Sequence, residues 1–240
     1  MMLASGVRHP WPCLWFVGLL WLFYEVGLWW LSSRGQVASR CGVDLWLRWL
    51  SEQCGLPALS MAPALALVIL AGSSLLRWKE RPFSTPTVLL AILVESLIAA
   101  LLLWWVSRNF DMFCQRAGIA LSVPGVSFAQ LLTFIGAGVS EEIIFRFGVF
   151  SAFFFLLRLL FLPRFLAMPP AAVASALLFA LAHHIGPWGE PWRQDYFLFR
   201  TVAGLYFTAL YLFRGLGVAA GAHVAYDLLI GLSQQSAAQA

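Results

Sequence analysis

Two adjacent glutamates, Glu141 and Glu142, and the nearby Arg146 stand in a stretch that is otherwise almost wholly apolar, from residue 126 to residue 157. A charged side chain at the centre of a bilayer costs about 2.5–3.5 kcal/mol on insertion scales, so ionisable groups in such a stretch indicate a functional site. On a helix, Glu142 and Arg146 are four residues apart and can pair on one face. Glu141 lies about 100° round the helix and cannot share this arginine in the same way. Glu141 therefore needs a partner from elsewhere in the chain.

Candidate partners for Glu141 lie in two later apolar segments. One contains His183 and His184, which point about 100° apart on a helix, so that one of them at most faces a given site. The other contains His223 and Asp227, which are four apart and share a helix face. A single buried histidine in a membrane helix is often only an interhelical hydrogen bond. Three segments that each carry an acid or an imidazole, with little else polar around them, favour one shared site.

The composition is that of a multi-pass integral membrane protein. Of the 240 residues, 61% are hydrophobic and 11% are charged, whereas soluble domains have about 45–50% apolar and 25% charged residues. The net charge of +4 does not indicate nucleic acid as a partner, because there is no basic cluster with interleaved aromatics. The four cysteines show no metal-ligand spacing, and Cys41 and Cys54 are the one pair that could form a disulfide, in a loop facing an oxidising compartment. The partner that the composition predicts is the lipid bilayer.

Seven apolar segments predict an all-α transmembrane helical bundle of seven or eight spans. They cover roughly residues 11–32, 58–76, 87–107, 126–160, 169–185, 196–213 and 216–233. At about 1.5 Å per residue the fourth could reach about 50 Å, against a hydrocarbon core of about 30 Å. It is either one long tilted helix, which we prefer, or two spans that break at Gly136 and Gly138. Residues 43–50 are amphipathic enough to lie on the membrane surface, and the basic loop 77–81 favours a cytoplasmic N-terminus in a plasma membrane or bacterial inner membrane.

Three motifs occur in order, each in its own predicted span: Glu141-Glu142-x-x-x-Arg146, Phe179-x-x-x-His183 and His223-x-x-x-Asp227. This set resembles the motifs of the CPBP family, which comprises the type II CAAX prenyl endopeptidases and their bacterial relatives. The resemblance covers residues 126–233 and implies a catalytic membrane domain with its active site between the three motif helices. Residues 1–125 hold three further spans and their loops, and residues 234–240 form a short polar tail.

The resemblance also implies a role for each motif residue. Glu141 would be the catalytic carboxylate that activates water, and His183 would assist it or share its proton. His223 and Asp227 would bind the carbonyl oxygen as it becomes an oxyanion, and Glu142, in its ion pair, would orient Glu141. Because an ionised aspartate cannot donate a hydrogen bond, Asp227 would have to be protonated, orient His223 or ligate a metal. Phe179 is a supporting residue of the second motif.

A metal-dependent version of the same protease stays open. The two histidines and two of the carboxylates could hold a divalent ion such as zinc, which would lower the pKa of a bound water to about 7. The ligands would be Glu141, His183, His223 and Asp227. The HExxH signature of most zinc peptidases is absent, however. A carboxylate in an apolar helix suits general-base catalysis, so we favour a glutamate-based mechanism without a cofactor.

The predicted substrate is a membrane-anchored protein or peptide that is cut near the bilayer surface. Prenylated proteins, bacteriocins and C-terminal sorting signals are all compatible with the family resemblance. The non-enzymatic alternative is an immunity protein or an ion-coupled carrier that uses the same buried residues as a proton or cation site. The missing inverted repeat argues against a typical transporter.

Overall fold

A computed structural model describes residues 6–36, 40–55, 61–82, 84–116, 127–186 and 189–238. Within these ranges the chain forms helices and no strand, so the predicted all-α fold class is confirmed. The helices are α1 (Pro10–Ser33), α2 (Gly42–Gln53), α3 (Met61–Leu76), α4 (Thr85–Arg116), α5 (Phe128–Glu142), a π-helical segment (Ile143–Phe150), α6 (Ser151–Leu159), α7 (Arg164–Ala182), α8 (Gln194–Arg214) and α9 (Leu216–Ala238). Helix α9 packs against α4, α5 and α8, and α7 packs against α8.

The helices form the bundle of an integral membrane protein. Among the described residues, four helical stretches are long and apolar enough to cross a membrane: Pro10–Ser33, Thr85–Phe110, Arg164–Ala182 and Gln194–Arg214. Two shorter apolar stretches are Pro63–Leu76 and Leu216–Leu232. Large apolar side chains such as Leu76, Phe155 and Phe165 stay exposed on the outside of the bundle. Hydrocarbon chains of a bilayer can solvate such a surface, which water would not.

The fourth predicted segment is one continuous helix from Phe128 to Leu159, as we preferred. Its irregular part does not lie at Gly136 or Gly138. It begins directly after Glu142, where Ile143–Phe150 form the π-helical segment. A π-helix widens the turn and is frequent at functional sites. Ser175 of α7 donates its hydroxyl to the carbonyl oxygen of Phe145 at 2.6 Å, so this buried acceptor is satisfied by a neighbouring helix.

The two glycines of α5 instead let other helices come very close. A Cβ added to Gly136 would lie 2.4 Å from the Tyr24 ring of α1, and one added to Gly138 would lie 2.6 Å from the backbone nitrogen of Val224 in α9. A backbone nitrogen inside a packed helix cannot move aside, so only glycine fits at 138. Gly138 therefore brings the helix that carries His223 against the helix that carries Glu141.

Helix α7 differs from its prediction at both ends. The prediction that the helix starts at the Pro169-Pro170 pair is wrong, because the helix already begins at Arg164 and contains both prolines. Membrane helices tolerate internal prolines, since neighbouring groups can satisfy the backbone groups that proline leaves unpaired. The helix ends at Ala182 rather than near residue 185, so His183 and His184 lie in the turn that follows the span.

Helix α2 is the amphipathic helix that the sequence predicts over residues 43–50, and a partly buried ion-pair network holds it to α1. Asp44 is buried and lies 2.7 Å from Arg40 and 3.2 Å from Arg48. Arg40 also donates to both carboxylate oxygens of Glu25 on α1, at 3.0 Å each. Because these pairs link neighbouring helices, they fix the position of α2 relative to the bundle.

The disulfide between Cys41 and Cys54 is not present, and both cysteines are free thiols. Cys41 precedes the first residue of α2 and Cys54 follows the last. A helix of this length separates its ends by about 18 Å, at about 1.5 Å per residue, whereas the Cα atoms of a disulfide lie within about 7 Å of each other.

Candidate active site

Glu142 is the more enclosed of the two adjacent glutamates. Glu142 and Arg146 are both fully buried, and Nη1 of Arg146 lies 3.1 Å from Oε1 of Glu142, which is the pair expected from their spacing. From α9, Nδ1 of His223 lies 2.8 Å from the same oxygen. The Glu142 carboxylate is therefore neutralised inside the bundle, by one partner on its own helix and one on α9.

Phe179 connects this buried ion pair to the two histidines of the later motifs. Its ring lies 4.4 Å from the guanidinium carbon of Arg146, in a cation–π contact. The same ring meets His183 edge-on at 5.1 Å and His223 at 5.9 Å between ring centroids. On its other side His223 stacks on Phe207, with the ring centroids 4.4 Å apart. These aromatic contacts hold both imidazoles in place.

Glu141 is buried, but it has no partner as close as those of Glu142. Nε2 of His183 lies 3.9 Å from Oε2 of Glu141, and Nε2 of His223 lies 3.7 Å from the same oxygen. Both separations exceed a direct hydrogen bond. Asp227 places its Oδ2 3.7 Å from Nε2 of His223. The structure thus brings all four candidate catalytic residues together, with both Nε2 atoms facing Glu141.

The hydrogen bond of His183 determines which of its nitrogens carries the proton. Nδ1 lies 2.9 Å from the carbonyl oxygen of Phe179 and must donate to it, so in the neutral ring Nε2 holds a lone pair. Burial, and then the positive charge of Arg200, lower the pKa of His183 to about 4. The ring just beyond α7 is therefore neutral at neutral pH, and its Nε2, which faces Glu141, is a hydrogen-bond acceptor.

A cavity of about 420 Å³ opens beside Glu141. It lies between α2, the π-helical segment, the end of α7 and the loop that follows. Most of its lining is apolar, for example Trp46 of α2 and Phe145, and Glu141, His183 and Glu190 are the ionisable groups among the described lining residues. The cavity suits a mainly apolar chain whose polar reacting group lies against Glu141.

Sequence reasoning missed part of this cavity. Helix α2 supplies one wall, and nothing in its sequence beyond amphipathicity indicates that role. Arg200 of α8 pairs with Glu190 at the cavity. Arg200 stands inside an otherwise apolar predicted span, which is the same signal that identifies Glu141, so the sequence did contain a means of finding it.

Within the described part of the chain, no group of three or more His, Cys, Asp or Glu side chains is placed so that it could hold a metal ion. Of the predicted zinc ligands, the nearest nitrogen–oxygen pairs are 3.7–3.9 Å apart. The metal-dependent version of the prediction is therefore kept as the alternative mechanism, and removal of metal tests it.

Residues 123–229 match the model of the family described as Type II CAAX prenyl endopeptidase Rce1-like. The match includes all three motifs, from Glu141 to Asp227. No curated protein and no solved structure matches the chain. The family match confirms the resemblance found in the sequence, and it indicates a protease that works in the membrane.

Proposed function

We propose, from the membership of residues 123–229 in the family of Rce1-like type II CAAX prenyl endopeptidases, that this chain hydrolyses a peptide bond by means of Glu141. The observation that carries the proposal is the different environment of the two adjacent acids. Glu142 is taken up by Arg146 and His223, whereas Glu141 lines the cavity and faces two imidazole Nε2 atoms. The substrate that we propose is a membrane-anchored protein or peptide, cut near the bilayer surface.

In the first step Glu141 acts as the general base. Its carboxylate takes a proton from water while the water oxygen attacks the carbonyl carbon of the scissile bond. The neutral His183 accepts a hydrogen bond from the same water through Nε2, so that the water is oriented by two acceptors. In the second step the C–N bond breaks, the proton passes from Glu141 to the leaving amine, and the new carboxyl group remains on the other product.

His223 is placed to stabilise the oxyanion of this reaction. Its Nδ1 donates to Glu142, and Nε2, which carries the second proton of the charged ring, lies 3.7 Å from Oε2 of Glu141. A charged donor at this position stabilises the negative charge that develops on the carbonyl oxygen. We assign to Asp227 the role of orienting His223, since its carboxylate lies 3.7 Å from that same Nε2 and an ionised aspartate cannot donate.

The cellular test compares the membrane proteomes of cells that carry the wild-type protein and cells that carry Glu141→Ala. A substrate should accumulate uncut in the mutant and disappear when the wild-type protein is restored. Equal amounts of both proteins in the membrane are the necessary control. If the processing of membrane proteins is the same in the two strains, the enzyme assignment fails and the ion-carrier or immunity alternative gains support.

Removal of metal tests the choice between the glutamate-based and the metal-dependent mechanism. We expect the purified, active protein to keep full activity after treatment with a chelator and buffer exchange, because the proposed base is a side chain. The measurement is the cleavage rate of one peptide before and after the treatment, with a known zinc peptidase treated in parallel. Activity that is lost on chelation and restored by zinc would contradict the glutamate-based mechanism.

A further inference from the structure

A second charged group lies at the same cavity, apart from the four proposed catalytic residues. Arg200 of α8 donates Nη1 to Oε2 and Nη2 to Oε1 of Glu190, both at 2.9 Å. This is the parallel, two-point geometry by which a guanidinium recognises a carboxylate. Glu190 lines the cavity together with Glu141 and His183. The Arg200 guanidinium is therefore hydrogen-bonded directly to a lining residue of the cavity.

The segment that carries Glu190 is tied to the proposed catalytic histidine. The backbone N–H of Glu190 donates to the carbonyl oxygen of His183 at 2.8 Å, and the carbonyl oxygen of Glu190 lies 3.2 Å from Nδ1 of His184. The positive charge of Arg200 also acts on the proposed catalytic histidine, because it contributes, after burial, to the lowered pKa of His183. The arginine thus has a defined position relative to the reacting groups.

The two partners of this pair differ in how easily they can separate. Arg200 is only 21% exposed and is held by helix α8, whereas the Glu190 side chain is 47% exposed on the segment before that helix. A half-exposed carboxylate that leaves the pair is hydrated at once, so its release costs little. A second carboxylate that binds Nη1 and Nη2 of Arg200 in place of Glu190 makes the same two charge-assisted hydrogen bonds. An exchange of one carboxylate for the other is therefore close to balanced in energy.

We infer that Arg200 is a specificity-determining residue that binds a carboxylate of the substrate. Until the substrate binds, Glu190 occupies the two guanidinium nitrogens that would hold that carboxylate. This inference depends on the proposed protease function, because it concerns the substrate of the same cavity. Two groups of the substrate have the required chemistry. One is its C-terminal carboxylate, and the other is an Asp or Glu side chain close to the scissile bond.

The test uses a library of membrane-anchored peptides in proteoliposomes with the purified protein. The library contains two kinds of peptide pair. In the first kind, one peptide has a free C-terminal carboxylate and the other is the C-terminal amide. In the second kind, one peptide has Asp or Glu near the cut site and the other has Asn or Gln there. We expect the wild-type protein to cleave the preferred carboxylate form about 10- to 100-fold more efficiently than its neutral counterpart, because two charge-assisted bonds are lost. In Arg200→Gln this ratio should fall to about one. A preference within the C-terminal pair identifies the C-terminal carboxylate as the bound group, and a preference within the side-chain pair identifies an Asp or Glu side chain.

Glu190→Gln provides a second variant with an effect of the opposite sign. Removal of the Glu190 carboxylate leaves the Arg200 guanidinium free to bind the substrate, so KM for the carboxylate peptides should fall. In Arg200→Gln the same KM should rise. If the ion pair only held the loop in place, both variants would raise KM alike. Because Glu190 is half-exposed, this variant tests the inference even when Arg200→Gln fails to fold.

Arg193→Gln is the matched control, since Arg193 makes a similar two-point pair with Asp195, but neither partner of this pair lines the cavity. Its ratio of carboxylate to neutral peptide should equal that of the wild type. If the wild type cleaves peptides without any preference for a carboxylate, or if Arg200→Gln keeps the preference, the inference is overturned while the protease function stands. If the wild-type protein cleaves no peptide of the library, the proposed function itself is contradicted.

Discussion

Replacement of Glu141 by glutamine is expected to reduce peptide cleavage by about 10²- to 10⁴-fold, which is the usual contribution of a general acid or base. Glutamine keeps the size of the side chain and its ability to form hydrogen bonds, but it cannot take a proton from water. The folded state should not lose stability, because no direct hydrogen bond of Glu141 is broken: its closest imidazole nitrogens lie 3.7 and 3.9 Å away. The variant also removes a carboxylate from a buried position, which is favourable for folding.

Two measurements on the same purified sample check this prediction. One is kcat for a peptide substrate, and the other is the midpoint of thermal unfolding in detergent. We expect a loss of kcat with an unchanged or higher unfolding temperature. Cleavage at the wild-type rate by a folded Glu141→Gln protein would remove Glu141 from the role of base. A large drop in the unfolding temperature would instead indicate a structural role.

The neighbouring substitution, Glu142→Gln, is expected to act mainly on stability. It leaves the fully buried Arg146 without its negative partner, and the loss of one member of a buried ion pair typically costs about 3–5 kcal/mol. Arg146 keeps its hydrogen bond to the carbonyl oxygen of Gly204 at 3.1 Å, but this group carries no net charge. The measurement is the free energy of unfolding in detergent, with Glu141→Gln as the matched control one residue away.

A double variant separates the charge effect from a general disturbance of the helix. Glu142→Gln combined with Arg146→Met removes both charges, so it should recover part of the stability that the single substitution loses. If Glu142→Gln is as stable as the wild type, the Glu142–Arg146 pair does not hold the bundle together. If the double variant is less stable than the single one by the full cost of Arg146→Met alone, the two side chains do not interact.

These two predictions give adjacent residues of the same type opposite expected phenotypes. The difference follows from the packing of α9 and α5, which Gly138 allows. On one face of the helix the Glu142 carboxylate is paired with Arg146 and with His223. On the next face the Glu141 carboxylate borders the cavity. A measurement of both activity and stability on both variants is therefore more informative than either one alone.

The amino-acid sequence by itself determined the features that depend on composition and local spacing. Long apolar stretches require helices in a membrane, because a helix satisfies its own backbone hydrogen bonds there. Spacing of four residues predicted the Glu142–Arg146 pair and the shared face of His223 and Asp227. The order of the three motifs identified the family over residues 126–233, and the family match covers residues 123–229.

Only the tertiary structure decided which groups meet across the bundle. His223 contacts Glu142 through Nδ1 and faces Glu141 through Nε2, although these residues are about 80 positions apart in the chain. Helix α2 and the Arg200–Glu190 pair complete the cavity, and neither belongs to a motif. The π-helical turn after Glu142 also has no signature in the spacing. Helical periodicity specifies the face on which a side chain lies, but not which distant helix packs against that face, because close packing between helices makes that choice.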